Sequence, residues 1–249
     1  MSKVIEEVLN KLFIEMEKDI NNINENNHKN DDDLLWNIEN NFNILTFEEQ
    51  KKYLSLLLQK NNFDQIRKYI IENNRLRIAF HESAHLVVWT TIENKSYDNI
   101  SIEEKKTIHG KSEWNVERNF ARCKNDKNKI YISLAGYVAE LWAWLDHITS
   151  YNHAKKDFKD IQTREDFEYI YENWYKPIGF KENGDIEVEQ QGNRLSKEEI
   201  WNEIIQICYK EINNIAWILK ENKEKYYTIA VELFKKWFLN KDDIEALSQ

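Results

Sequence analysis

A mainly α-helical fold carrying a short two-stranded β-ribbon is the class this sequence predicts. Three observations predict it. The 249 residues include only five glycines and one proline, too few turn formers for a many-stranded sandwich or barrel. Apolar residues recur at helical spacing along most of the chain. One short stretch, Ile100-Ser101-Ile102, alternates instead, and Gly110 offers a turn before Trp114 and Val116, which is the pattern of a ribbon.

Taken in order, Val4, Val8, Leu9, Leu12, Phe13 and Met16 place an amphipathic helix over 2–20. Residues 21–33, rich in Asn and closing on three aspartates, read as a polar linker. Thr46-Phe47-Glu48-Glu49 has capping-box spacing and starts a helix to about Lys60. A helix from Asp64 to about Glu72 follows, broken at Asn73-Asn74. The next runs from Leu76 to about Thr91. After the ribbon within 96–116 come a Trp-rich helix over 128–146 and an aromatic one over 152–175. Residues 176–194, with Pro177 and three glycines, read as the longest loop. Ser196-Lys197-Glu198-Glu199 is a second capping box, opening a helix to about Glu221, and two shorter helices finish the chain. The tryptophans Trp142, Trp144, Trp174, Trp201, Trp217 and Trp237 are expected as core anchors. The organisation expected is a helical N-terminal extension over 1–72 and a second domain over 73–249.

Composition excludes several classes. A hydrophobic share of 41% with nine tryptophans supports a sizeable core and excludes a wholly disordered chain. The charge of −9 argues against a general nucleic-acid binder, which needs a basic face. Cys123 and Cys208 lie far apart without metal spacing and fit a reducing, cytoplasmic setting. Met1 to Glu7 carries acid where a signal peptide is basic, and no window reaches the roughly 18 apolar residues of a membrane helix, so no membrane segment is expected.

One motif carries chemistry: His81-Glu82-Ser83-Ala84-His85. Residues i and i+4 share a helix face, so two imidazoles converge on one ion, with Glu82 beside them as base toward a water that the ion activates. The flanks, Leu76 to Phe80 and Leu86 to Trp89, are apolar and suit a buried helix. Catalytic zinc takes three protein ligands and keeps one open position. Spacing leaves the third open among Glu103, Glu104, Glu140, Asp157 and Asp160. Glu140 also qualifies as a carboxylate orienting a ligating histidine. Of the other histidines, His109 is a candidate substrate contact, His147 and His153 flank the Asp157 segment, and His28 sits idle in the linker.

The segment Arg77-Ile78-Ala79-Phe80-His81-Glu82-Ser83-Ala84-His85-Leu86-Val87-Val88 resembles the zinc helix of FtsH-type peptidases of the AAA-protease family. Ile100–Ile102 and Gly110 resemble that family's strand and glycine turn. Ser133-Leu134-Ala135-Gly136-Tyr137-Val138-Ala139-Glu140-Leu141 is similar to its Leu-Ala-Gly-Arg-x-Ala-Glu-Glu helix. Lys156-Asp157-Phe158-Lys159-Asp160-Ile161 matches the place of its Asn-Asp-Leu. Ile215 to Asn222, Ile229-Ala230, Leu239 and Asp243-Ile244 are similar to its closing helices, so the likeness spans roughly 75–247.

The resemblance implies a helical FtsH-peptidase-like array that binds Zn²⁺ through His81, His85 and Asp157, with Glu82 as catalytic base. It implies endopeptidase activity on a protein or peptide substrate. Asp160 is the register-shifted alternative for the third ligand. Tyr137 and Leu141 depart from the family's charged residues, and the family's ATPase and membrane anchor are not found. ATP-independent action is therefore expected, with a separate ATPase or regulatory partner and a homo-oligomer left open. The competing expectation is a catalytically inactive, peptidase-like interaction protein. Strand addition of substrate at Ile100–Ile102 is a further expectation.

Overall fold

The structure, a computed structural model, describes residues 42–94, 99–106, 112–118, 125–143, 150, 153–155, 157–158 and 165–247. The chain forms two compact units, Met1–Leu45 and Thr46–Gln249. Of the first, the described part is a short 3-10 turn, Phe42–Ile44. The helix expected over 2–20 and the linker over 21–33 lie outside the described residues.

The second unit is mainly helical. Its elements are α1 (Phe47–Gln59), α2 (Phe63–Glu72), α3 (Asn74–Glu93), β1 (Asn99–Lys106), β2 (Ser112–Arg118), α4 (Asp126–Trp142), α5 (Glu165–Glu172), β3 (Tyr175–Phe180), β4 (Ile186–Gln190), α6 (Lys197–Glu221), α7 (Lys223–Lys236), β5 (Phe238–Asn240) and α8 (Lys241–Ala246). None of the described helices is long and apolar enough to cross a membrane.

Local chemistry sets most helix starts. Thr46 and Ser196 form the two expected capping boxes, and Asn240 with Asp243 forms a third at α8. Asn62, Asn73 and Asn125 cap α2, α3 and α4 through their side-chain oxygens. Asn94 ends α3 in the left-handed region at φ 50°, a conformation that asparagine tolerates better than most residues. The abundant asparagine thus has structural uses at helix ends.

α3 is the central element. Every residue from Ala79 to Trp89 is buried, the polar His81, Glu82, Ser83 and His85 included. It packs against α4 and α7, and α4 packs in turn on α6. Tyr226 and Tyr227 of α7 meet the Phe80 ring edge-on at 5.3 and 4.9 Å. The Tyr226 hydroxyl donates to the Phe80 carbonyl at 3.1 Å, which satisfies a phenol that would otherwise be buried at a cost.

The compact unit begins at Thr46, so α1 and α2 belong with the helix that carries the His-Glu-x-x-His motif rather than to an extension through residue 72. Aromatic packing is the reason. Phe47 meets Phe234 at 5.4 Å, Phe63 meets Tyr227 edge-on at 4.8 Å, and the Arg75 guanidinium lies over Phe47 at 4.0 Å and over Trp237 at 3.2 Å.

The expected ribbon forms from β1 and β2, with Ile102 opposite Val116. Ile100 and Ile102 are fully buried, as their alternation requires. A third strand, β5, completes the sheet in the order β2-β1-β5. β1 is therefore central at Asn99–Ser101, and Ile102 N–H donates to the Trp237 carbonyl at 2.8 Å. Strand addition of substrate at Ile100–Ile102 is ruled out, because both sides of that stretch are already bonded.

The stretch read as the longest loop is instead a hairpin, β3–β4. Pro177 is tolerated because a two-stranded ribbon has two edges, and the register shifts between Pro177 and Gly179. Gly184 turns the hairpin at φ 86°, and a Cβ there would collide with Asn125. The hairpin is tied to the start of α4, since Ile186 N–H donates to Asp126 and Lys127 N–H to the Gly184 carbonyl. Of the expected core tryptophans, Trp174 and Trp217 are 47% and 61% exposed and Trp142, Trp201 and Trp237 are half-buried, whereas Trp89 is fully buried. Trp144 lies outside the described residues.

Asn73 caps the site-bearing helix, so Asn73→Ala should lower stability by ~1 kcal/mol in a denaturant melt, with Asn73→Asp nearly neutral.

Candidate metal centre

α3 brings His81 and His85 to one face, their ring centroids 5.0 Å apart. The facing helix α4 approaches closely because residue 136 is glycine. A Cβ at Gly136 would collide with the His81 ring, so the imidazole lies directly on the α4 backbone. The third group is Asp157, beside Ser150, Ala154 and Phe158 in the chain. There, helical bonds from Ala154 N–H to Ser150 and from Phe158 N–H to Ala154 hold a turn. The Phe158 ring packs edge-on against Tyr137 of α4 at 5.3 Å. That contact anchors the turn with Asp157 facing the histidines.

Asp157 Oδ2 lies 3.0 Å from His81 Nε2 and 3.6 Å from His85 Nε2. Among the described residues, His81, His85 and Asp157 form one group that could hold a metal ion, with ligand atoms all within 4.8 Å of one another. All three are buried. Each imidazole also has its other nitrogen satisfied. His81 Nδ1–H donates to Glu140 Oε1 at 2.9 Å, and His85 Nδ1–H donates to the Ile132 carbonyl. These bonds fix the tautomer and direct both Nε2 atoms at Asp157, as an outer shell does around a metal. Glu82 is buried, with Oε1 4.0 Å from His81 Nε2.

The electrostatics follow from this packing. Burial works against a charged His81, but its hydrogen bonds to Asp157 and Glu140, with the charges of Asp157 and Glu82, outweigh that and raise its pKa to about 10. Burial likewise works against the Glu140 carboxylate. Hydrogen bonds from His153 and His81, with the charges of His81 and Arg77, outweigh it and hold the pKa down to about 2. The buried carboxylates of Glu82, Glu140 and Asp157 around a neutral ring would be a costly arrangement. Without an ion, a proton on His81 supplies the missing positive charge. A cation between His81, His85 and Asp157 would replace that proton.

The structure thus brings together His81, His85, Asp157 and Glu82, and puts Glu140 behind His81. Glu103 and Glu104 stand on β1 opposite Asn115 and Trp114, and their side chains lie outside the described residues. So do Asp160, His28, His109 and His147. Of the further contributors, Gly136, whose missing Cβ admits the His81 ring, stood in the sequence only within the Ser133–Leu141 resemblance, and His153, which bonds Glu140 at 2.6 Å, only as a flank of the Asp157 segment; the Ile132 carbonyl left no signal.

No protein-family model matches this chain, and no curated protein matches it.

Two outcomes are expected. Gly136→Ala should displace the His81 ring and cost about 1–3 kcal/mol of stability, read by thermal melting, together with loss of metal uptake. Because the His81 pKa is raised, its contribution to metal-free stability is complete below its ordinary 6.5 and lost as pH rises through about 10. Metal uptake near pH 8 should correspondingly release about one proton from His81, measured by calorimetry in buffers of different ionisation enthalpy.

Proposed function

We propose that this chain is a zinc-dependent endopeptidase related to the FtsH-type peptidases, acting without ATP on its own. The observation that carries the reading is the convergence of two imidazoles one helical turn apart with a distant carboxylate, beside a buried glutamate. The donor set, two nitrogens and one oxygen, suits zinc. Tetrahedral ligands about 2.0–2.1 Å from zinc stand about 3.3 Å from one another, close to the 3.0 and 3.6 Å found from Asp157 to the two rings. Three protein ligands leave a fourth position for chemistry.

Bound Zn²⁺ would polarise the scissile carbonyl and make a neighbouring water acidic near neutral pH. The chain's own groups do the rest. His81 and His85 present Nε2, because Glu140 and Ile132 hold their Nδ1 protons. Glu82 accepts the proton that the water loses and returns it to the leaving amine. The dry surroundings of α3 and α4 strengthen these interactions by excluding bulk solvent.

Four variants test the assignments. Wild-type protein should carry close to one zinc per chain, and His85→Ala or Asp157→Ala should lose it, whereas Glu104→Ala should keep it. Glu82→Gln should retain zinc and lose cleavage of an unfolded casein-type substrate by a factor of at least about 10². Zinc uptake without chelator-sensitive cleavage would favour an inactive, peptidase-like interaction protein.

A further inference from the structure

One helical turn controls both nitrogens of His81. Asp157 takes Nε2 directly at 3.0 Å. His153 precedes Asp157 by four residues, so the two share a side of the turn. Its Nδ1 lies 2.6 Å from Glu140 Oε2, while the other oxygen, Oε1, lies 2.9 Å from His81 Nδ1. We propose that His153 is a positioning residue of the metal centre, clamping the Glu140 carboxylate so that it fixes the tautomer and tilt of the His81 ring.

An ionised Glu140 has only acceptors. The clamp places the His153 proton on the nitrogen facing it, which then donates to Glu140. A carboxylate held at one oxygen can still swing about its terminal torsion, which is broad and soft. Held at both oxygens it cannot, and its angle to His81 is set. The Arg77 guanidinium contacts the same His153 nitrogen and lies 3.6 Å from Glu140 Oε1, so it shares that nitrogen with Glu140 and adds positive charge beside the carboxylate. Glu140 is 3% exposed, but the His153 side chain is 31% exposed. The clamp therefore reaches the buried ring from the protein surface.

The test compares wild type, His153→Ala and His153→Asn, with His153→Ala also made in a Glu140→Ala background. The first readout uses metal-free protein: the slowly exchanging Nδ1–H of His81 in an imidazole ¹H–¹⁵N spectrum. The second is zinc affinity by competition with a chelator. His153→Ala should lose that resonance and weaken zinc binding about tenfold. His153→Asn, whose amide N–H replaces the donor, should keep the resonance and stay within about threefold. With Glu140 already removed, His153→Ala should cost nothing further. The inference is overturned if His153→Ala leaves both readouts unchanged, or if its effect is the same without Glu140. Only the second readout rests on the zinc reading. Wild type that takes up no zinc, yet loses the His81 resonance on His153→Ala, would overturn the peptidase proposal and uphold the clamp.

Discussion

The His81 imidazole, held in the core between two carboxylates, is the constraint on which the rest of the arrangement depends. Glu140 sits on one nitrogen and Asp157 on the other, with the α4 backbone pressed against the ring at Gly136. Removing such groups from water is expensive unless their charges and protons balance. The balance here needs one positive charge at Nε2. A proton supplies it at low cost, and a divalent ion supplies it with the further help of His85. The same packing that buries the ring thus favours a positive charge where His81, His85 and Asp157 meet, a group that could hold a metal ion.

Surrounding elements can be understood as holding that ring still. α3 is buried on all sides, so neither histidine has room to move. α7 locks it through Tyr226 and Tyr227 against Phe80, and α1 and α2 close over α7 and the start of α3 through Phe47, Phe63 and Arg75. The sheet takes β5 from just after α7, which fastens the end of the helical array to β1. A metal centre needs this rigidity, because misplacement of a ligand by even an ångström weakens coordination.

Much of this was legible in the chain, for definable reasons. Capping boxes and apolar periodicity are local, so α1, α3, α4 and α6 appear close to their expected positions, and the His-Glu-x-x-His helix declares its own geometry. The β3–β4 hairpin was hidden because Pro177 and its glycines resemble a loop, while its stability comes from contacts with the distant Asp126 and Lys127. Likewise α1 and α2 look like an appendage until their aromatic rings find α7. At the site, spacing alone left five acids in contention; the resemblance pointed to Asp157, and tertiary placement brings it to the histidines. Gly136 and His153 were visible as residues but not in their roles, because a missing Cβ and a surface imidazole acquire meaning only beside His81 and Glu140.

X-ray absorption at the zinc edge of purified, zinc-loaded protein tests the central claim most directly. The account predicts zinc in a shell of nitrogen and oxygen at about 2.0–2.1 Å, with the multiple-scattering signature of two imidazoles. A shell containing sulfur, a shell without two imidazoles, or protein that retains no zinc would contradict it.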